Sequence, residues 1–174
     1  MNVTTSRCEL VPASIEEKPI IDNLSRLYAY EMSGFMGEDP YWACPDTGMY
    51  DTAEDLKSYW VDSERHPYLI WAHDELAGYA LISQHGSSED IDYRMEHFFI
   101  IRRFQNQGIG REVAHQCFER FSGCWEIPIP EGNHEGRKFW KNVVNNYTNS
   151  HFSEVEGSMH CPQPQPAFIL SFES

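Results

Sequence analysis

The chain has 174 residues and a net charge of −14, with 13 basic side chains against 27 acidic ones. That length suits one domain spanning residues 1–174 with room for a core, and the charge argues against general nucleic-acid binding. Plentiful aromatics argue against disorder, no apolar run approaches a membrane span, and Met1-Asn2-Val3-Thr4-Thr5 has no apolar signal core, so a cytoplasmic location without membrane contact is expected.

In chain order, Val3 to Val11 reads as a first strand that Pro12 ends. Pro19 opens a helix in which Ile20, Ile21, Leu24, Leu27, Tyr28 and Met32 recur at helical spacing, closed by Ser33-Gly34. Phe35 to Tyr50, rich in Gly, Pro and aromatics, is too long for a plain connection, so a binding loop or disorder is expected. Thr52 is placed to cap a second helix running to about Val61, with Glu54 and Asp55 in its first turn. Pro67 to Trp71 and Leu76 to Gln84 form a hairpin about Asp74-Glu75. Tyr93 to Ile101 is the central strand, and its apolar run Phe98 to Ile101 suits a strand covered on both faces.

After the turn, a helix carries Ile109, Val113, Cys117 and Phe121 on one stripe until Ser122-Gly123. Cys124 to Ile129 is a fifth strand, whose far end Pro128 and Pro130 restrict to non-pairing or bulged geometry. Asn133 caps a further helix with Phe139, Trp140, Val143, Val144 and Tyr147 on its apolar face. His151 to Val155 and Ala167 to Phe172 close the sheet, with Pro162, Pro164 and Pro166 in the loop between them. The order β α α β β β α β α β β places one strand–helix–strand unit in an otherwise antiparallel sheet.

Charge is unevenly placed. Glu31 to Glu64 holds nine acids (Glu31, Glu38, Asp39, Asp46, Asp51, Glu54, Asp55, Asp62, Glu64) and one base, Lys57. Arg102 to Lys141 holds seven bases and five acids. Solvated faces are the plain reading; an anionic cofactor on one side and a cationic acceptor on the other is the functional one. The five scattered cysteines (Cys8, Cys44, Cys117, Cys124, Cys161) lack a Cys-x-x-Cys pair and read as reduced thiols, and the histidines lack zinc spacing, so no metal is expected.

The stretch Phe98 to Arg111 runs from a buried strand through a basic turn to a glycine-bearing helix entry. Such an entry aims free N–H donors and the positive end of a helix dipole at one point, a cradle suited to a pyrophosphate. No Lys-Ser/Thr pair follows the second glycine, which excludes a P-loop, and Val113 stands where a dinucleotide fingerprint needs glycine. What remains, Gln105-x-x-Gly108-x-Gly110 after a strand, resembles motif A of the GNAT acyl-CoA N-acyltransferases. Asn133-x-x-Gly136-x-x-Phe139-Trp140 resembles the family's motif B, and the element order is similar to the whole GNAT fold. Cys124-Trp125-Glu126 and Phe139-Trp140-Lys141 look most like a bacterial subgroup of uncharacterised predicted acetyltransferases.

The resemblance implies an α/β (α+β) fold: a mixed, mostly antiparallel sheet of six to seven strands, a splayed central strand pair and four helices. It implies acetyl-CoA as co-substrate, with its pantetheine arm in the splay against Phe98, Phe99 and Ile100 and an oxyanion-stabilising N–H near Ile100. Gln105, Asn106, Gln107, Gly108, Ile109, Gly110 and Arg111 would wrap the pyrophosphate. Gln105 stands where many members have Arg, and Arg103 and Arg111 are the candidates to compensate. Asn133, Phe139 and Trp140 would line the thiol end, with Lys138 or Lys141 near the nucleotide.

An amine must lose a proton before it attacks a thioester. Glu96, counted as sharing strand parity with Phe98 and Ile100, is the first candidate base, ahead of Glu126 and His97. Trp140 replaces the motif B tyrosine that serves many members as general acid, leaving Tyr147 or Cys124 as substitutes, or no acid at all. The implied reaction is acetyl transfer to a primary amine of a small cationic acceptor. The alternatives are a peptide or protein acceptor, and an acyl-CoA-binding module without turnover. A homodimer through the last strands is compatible with each.

Overall fold

The structure, a computed structural model, describes residues 8–52, 56–160 and 163–174. Seven strands form one sheet in the order β1-β2-β3-β4-β5-β7-β6. They are β1 (Cys8–Pro12), β2 (Arg65–Ala72), β3 (Glu75–Ser83), β4 (Tyr93–Ile100), β5 (Cys124–Pro130), β6 (Ser153–His160) and β7 (Pro164–Glu173). Neighbours are antiparallel except β4 with β5. Helix α1 (Lys18–Ser33) covers one face of the sheet, and α2 (Ile109–Arg120) and α3 (His134–Thr148) cover the other.

The helices follow their apolar stripes. Ile21, Leu24 and the sheet residues Leu69, Tyr79, Leu81 and Phe99 form the core under α1. Ile109, Val113, Cys117, Phe118, Val143 and Val144 pack with Ile70, Ile82, Met95, Trp125 and Ile127 beneath α2 and α3. Burial pushes the Cys117 thiol up to about 12, as suits a packing residue.

Three expectations need correction. The second expected helix, in its described part, is a 3-10 turn at Leu56–Trp60, so the α-helices among the described residues are three rather than four. Leu56 and Tyr59, three residues apart, are both buried, and a turn with three residues per revolution puts both on the core side. Residues 53–55, which carry Glu54 and Asp55, residues 3–7 of the first expected strand, and Cys161 and Pro162 lie outside the described residues. Pro164 and Pro166 belong to β7 rather than to a loop. Pro166 C=O accepts the Glu131 N–H just past the end of β5, so the missing proline N–H groups face a side with no strand beside them. The sixth strand starts at Ser153 and forms the exposed edge of the sheet.

His97 ties α1 to the sheet. It is buried, stacks on Tyr28 at 4.4 Å, and sets Nδ1 3.0 Å from Tyr79 Oη. Burial lowers its pKa to about 3. The unfolded chain therefore takes up this proton near pH 6.5 while the folded chain does not, and stability falls as pH drops through that range. Equilibrium unfolding should show a loss of about 1.2 kcal/mol from this residue between pH 6 and 5, with a contribution of the same sign from His66, whose pKa burial also lowers, and above the range where the lowered carboxylates of Asp62 and Glu154 titrate. His97→Gln should flatten that slope, and an unchanged slope would contradict the assignment.

Candidate active site

Strands β4 and β5 pair only at their first rungs, Tyr93 with Trp125 and Arg94 with Glu126. Beyond these they part, although β4 keeps β3 as far as Ile100 and β5 keeps β7 as far as Pro130. The sequence supplies two causes. Cys124 C=O accepts the Asp92 N–H, so alternation turns the backbone groups of Glu126, Pro128 and Pro130 toward β4. Proline has no N–H to offer there. On β4 the register shifts between Leu81 opposite His97 and Ile82 opposite Met95, which leaves Glu96 as the extra residue of a bulge.

Past the bulge, Ile101 N–H goes to Ala77 C=O on the β3 side. Alternation then turns the backbone groups of Phe98 and Ile100 into the gap. The Ile100 C=O is held by Gln105 Nε2 at 2.8 Å, so Gln105 anchors the turn to the strand. The Phe98 and Ile100 N–H groups face the gap.

The turn continues through Arg102–Phe104 to Gly108, whose φ of +84° makes it the left-handed cap of α2. The Glu112 N–H donates to Gly108 C=O at 3.1 Å and closes the first turn of the helix. Among the described residues, the N–H groups of Asn106 to Arg111 find no protein acceptor. Gly110 lets α2 approach α3: a Cβ there would lie 3.2 Å from the Phe139 ring. Arg103 is paired with Glu75 at 3.0 Å, whereas Arg111 is exposed and has no carboxylate partner among the described residues.

Motif B meets the gap from the α2/α3 face. Phe98 stacks on Phe139 at 6.0 Å and meets Trp140 edge-on at 4.9 Å. Asn133 is occupied as the N-cap of α3, its Oδ1 accepting the Gly136 N–H at 2.8 Å. Lys138 is exposed in a shallow basic depression with His134, Arg137, Lys141 and Asn142, where Glu154 holds Arg137 and Lys141, each at 2.6 Å.

The candidate acid–base groups are divided between the two faces. The bulge reverses the parity counted from the sequence: Glu96 shares the α1 face with Ser83 and Arg94, while Phe98 and Ile100 pack toward α2 and α3. Its side chain is 24% exposed and therefore reachable. Glu126 is buried and accepts from Ser87 N at 2.8 Å, Ser87 Oγ at 2.6 Å and Arg94 Nη1 at 2.6 Å. His97 is closed in by Tyr28 and Tyr79. Tyr147 packs among His115, Phe118 and Phe172 beside the closed end of the gap, and burial followed by Glu119 raises its pKa. Cys124 is half-buried at that same closed end.

A strap missed by local patterning crosses the open ends of the parted strands. Glu31 at the end of α1 pairs with Arg102, just after β4, at 2.9 Å. Phe35 C=O lies against Gly132 after β5, where a Cβ would come within 2.5 Å. Asp39 then accepts from Gln165 at the start of β7 at 2.7 Å. Much of the acidic early segment is thus tethering rather than free charge. One group of metal-ligand type among the described residues, Asp62, Glu64 and His85, brings its ligand atoms within 4.8 Å beyond the closed end of the gap, with Glu64 and His85 exposed and Asp62 half-buried.

A parted parallel strand pair beside a helix N-terminus with unpaired N–H groups is the arrangement that the resemblance to acyl-CoA acyltransferases implies. The profile of the GNAT acetyltransferase family matches residues 29–142, and the chain belongs to that family. No curated protein matches it. Solved structures share the fold at low identity. An acetyltransferase from Thermus thermophilus is 15% identical over 95% of this chain and 97% of its own, with a TM-score of 0.65. AAC(6')-Ib in complex with ribostamycin and coenzyme A is 13% identical over 95% and 93%, with a TM-score of 0.62. Naa50 of Arabidopsis thaliana in complex with the bisubstrate analogue CoA-Ac-MVNAL is 11% identical over 97% and 99%, with a TM-score of 0.55.

The Asn133 contact predicts a stability effect. Asn133→Ala should lower unfolding free energy by about 1 kcal/mol, while Asn133→Asp or Asn133→Ser retains most of it. Equal losses in denaturant titrations of all three variants would contradict the cap.

Proposed function

We propose that the protein transfers the acetyl group of acetyl-CoA to a primary amine on a small cationic acceptor, by direct attack on the thioester. The observation that carries this reading is the pairing of an unfilled strand edge with free helix-entry amides. The gap is shaped for an extended, amide-bearing chain, and the turn for the diphosphate at its end. The pantetheine arm lies along Phe98, Phe99 and Ile100, with Phe139 and Trp140 on the α2/α3 side. Asn106 to Arg111 receive the diphosphate, and the exposed Arg111 and Lys138 supply the positive charge that Gln105 lacks.

Positioning does most of the chemical work. The amine arrives from the α1 face, where Glu96 is the one reachable carboxylate of its cluster and accepts the proton directly or through water. The Ile100 N–H faces the gap and steadies the oxyanion that forms. Trp140 has no acidic proton, and Tyr147 is packed into an aromatic layer with its pKa raised, so the thiolate leaves unaided. The cationic preference rests on acidic residues of the strap and loop, among which Glu38 and Asp46 are exposed. The exposed Tyr30, Tyr41 and Met49 beside them favour a peptide amine as the second reading.

Purified protein with acetyl-CoA should release free thiol when given a polyamine, an aminoglycoside or an amino acid. A response to a short peptide alone would move the acceptor to peptides. Binding of acetyl-CoA with no transfer to any of these amines would leave an acyl-CoA-binding module. Glu96→Gln should lower kcat by about 100-fold or more without weakening cofactor binding, and full activity would remove Glu96 as the base.

A further inference from the structure

The last paired rung of β4 and β5 carries one guanidinium between two carboxylates. Arg94 Nη1 reaches Glu126 Oε1 at 2.6 Å, and Arg94 Nε reaches Glu96 Oε2 at 3.0 Å. The Glu96 Oε1 accepts from Ser83 Oγ at 2.9 Å. The side chain of Glu126 is 2% exposed, that of Arg94 14% and that of Glu96 24%. The groups therefore grade from a fully enclosed carboxylate, through a largely enclosed cation, to a reachable carboxylate. One positive charge divided between two negative ones leaves a net negative charge, and the open end of the series is Glu96.

We propose that Arg94 is a positioning residue for the transfer reaction. Its guanidinium fixes the direction of the Glu96 carboxylate, while Glu126 claims part of its charge so that Glu96 is not fully neutralised. The inference rests on Glu96 acting as the base. A carboxylate held alone by arginine would be a poor proton acceptor, and one with no partner would swing freely. Sharing the guanidinium avoids both. Arginine suits the task because its donors form a fixed fork, whereas a lysine ammonium is a point charge. The same ion pair sits on the rung where the strands part, so it also ties the base to the apex of the gap.

Arg94 precedes Glu96 on β4, Glu126 faces it from β5, and His97 follows it, buried and lowered to about 3. From β3 it meets the uncharged Ser83, and Ser87 from the following loop reaches Glu126. Removing Arg94 and removing the charge of Glu126 should therefore act on Glu96 in opposite senses. Without Arg94 the carboxylate loses its cation. Without the Glu126 charge it gains the whole cation and loses a like-charged neighbour.

The test follows the Glu96 side-chain carboxyl carbon by NMR against pH, assigned by its absence in Glu96→Gln, and needs no acceptor. Relative to the unsubstituted protein, the midpoint should move up in Arg94→Gln, which removes a cation, and down in Glu126→Gln, which removes a like charge. Midpoints unmoved in both variants, or moved in the same direction, would overturn the proposal. If Arg94→Gln does not fold, Arg94→Lys carries the test: the charge is kept, so the midpoint should stay nearer the wild-type value, and a shift as large as that of full charge removal would overturn it. With an amine that is turned over, Arg94→Gln should lower kcat without changing acetyl-CoA affinity and should add no further loss to Glu96→Gln. An additive loss would mean that Arg94 does not act through Glu96. Transfer surviving Glu96→Gln would instead remove the base itself, and with it the positioning role, whatever the midpoints do.

Discussion

Two prolines and one bulge keep β4 from pairing with β5 beyond Arg94 and Glu126. Both strands keep their outer neighbours, so the opening costs the sheet little of its ladder. The consequence is a pair of facing edges whose backbone groups are directed but not paired. On the β5 side Pro128 and Pro130 remove the donors that would otherwise close the gap or recruit another strand. On the β4 side the bulge directs the Phe98 and Ile100 amides inward and sends Glu96 to the opposite face. One irregularity thus parts the inward-facing amides of Phe98 and Ile100 from the Glu96 side chain, which lies on the α1 face.

The flanking parts follow from that opening. Gln105 fastens the glycine turn to the last carbonyl of β4, so the amides at the start of α2 stand at a fixed offset from the gap. Phe139 and Trp140 pack on Phe98, and Gly110 is small enough to let Phe139 reach it. Across the open ends, the strap from Glu31 to Asp39 is bonded to Arg102 after β4 and to Gln165 in β7, and it lies against Gly132 after β5. Its acids Glu31 and Asp39 serve as tethers, and Glu38 stays exposed.

Features that depend on neighbouring residues were legible in the sequence. The glycine turn, the Asn133 cap and the apolar stripes of α2 and α3 each follow from the chemistry of a few adjacent side chains, whereas the far end of β5, expected to be non-pairing or bulged, pairs with β7 through Pro130 and is unpaired only toward β4. Features that depend on distant partners were not. Counting alternate residues along β4 assigns Glu96 to the face of Phe98, because a bulge is visible only once β3 is alongside. Pro164 and Pro166 read as loop residues, since nothing local reveals that their missing N–H groups face past the end of β5. The strap contact from Asp39 to Gln165 and the Arg94 bridge from β4 to Glu126 on β5 are likewise products of the assembled sheet.

Amide hydrogen exchange with and without acetyl-CoA tests the central claim most directly, because it reads the N–H groups on which the account depends. Saturating acetyl-CoA should slow exchange at Phe98, Ile100 and the amides from Asn106 to Arg111, leaving β1 and β6 unchanged. Protection confined to other surfaces, or none at those amides while acetyl-CoA is bound, would contradict it.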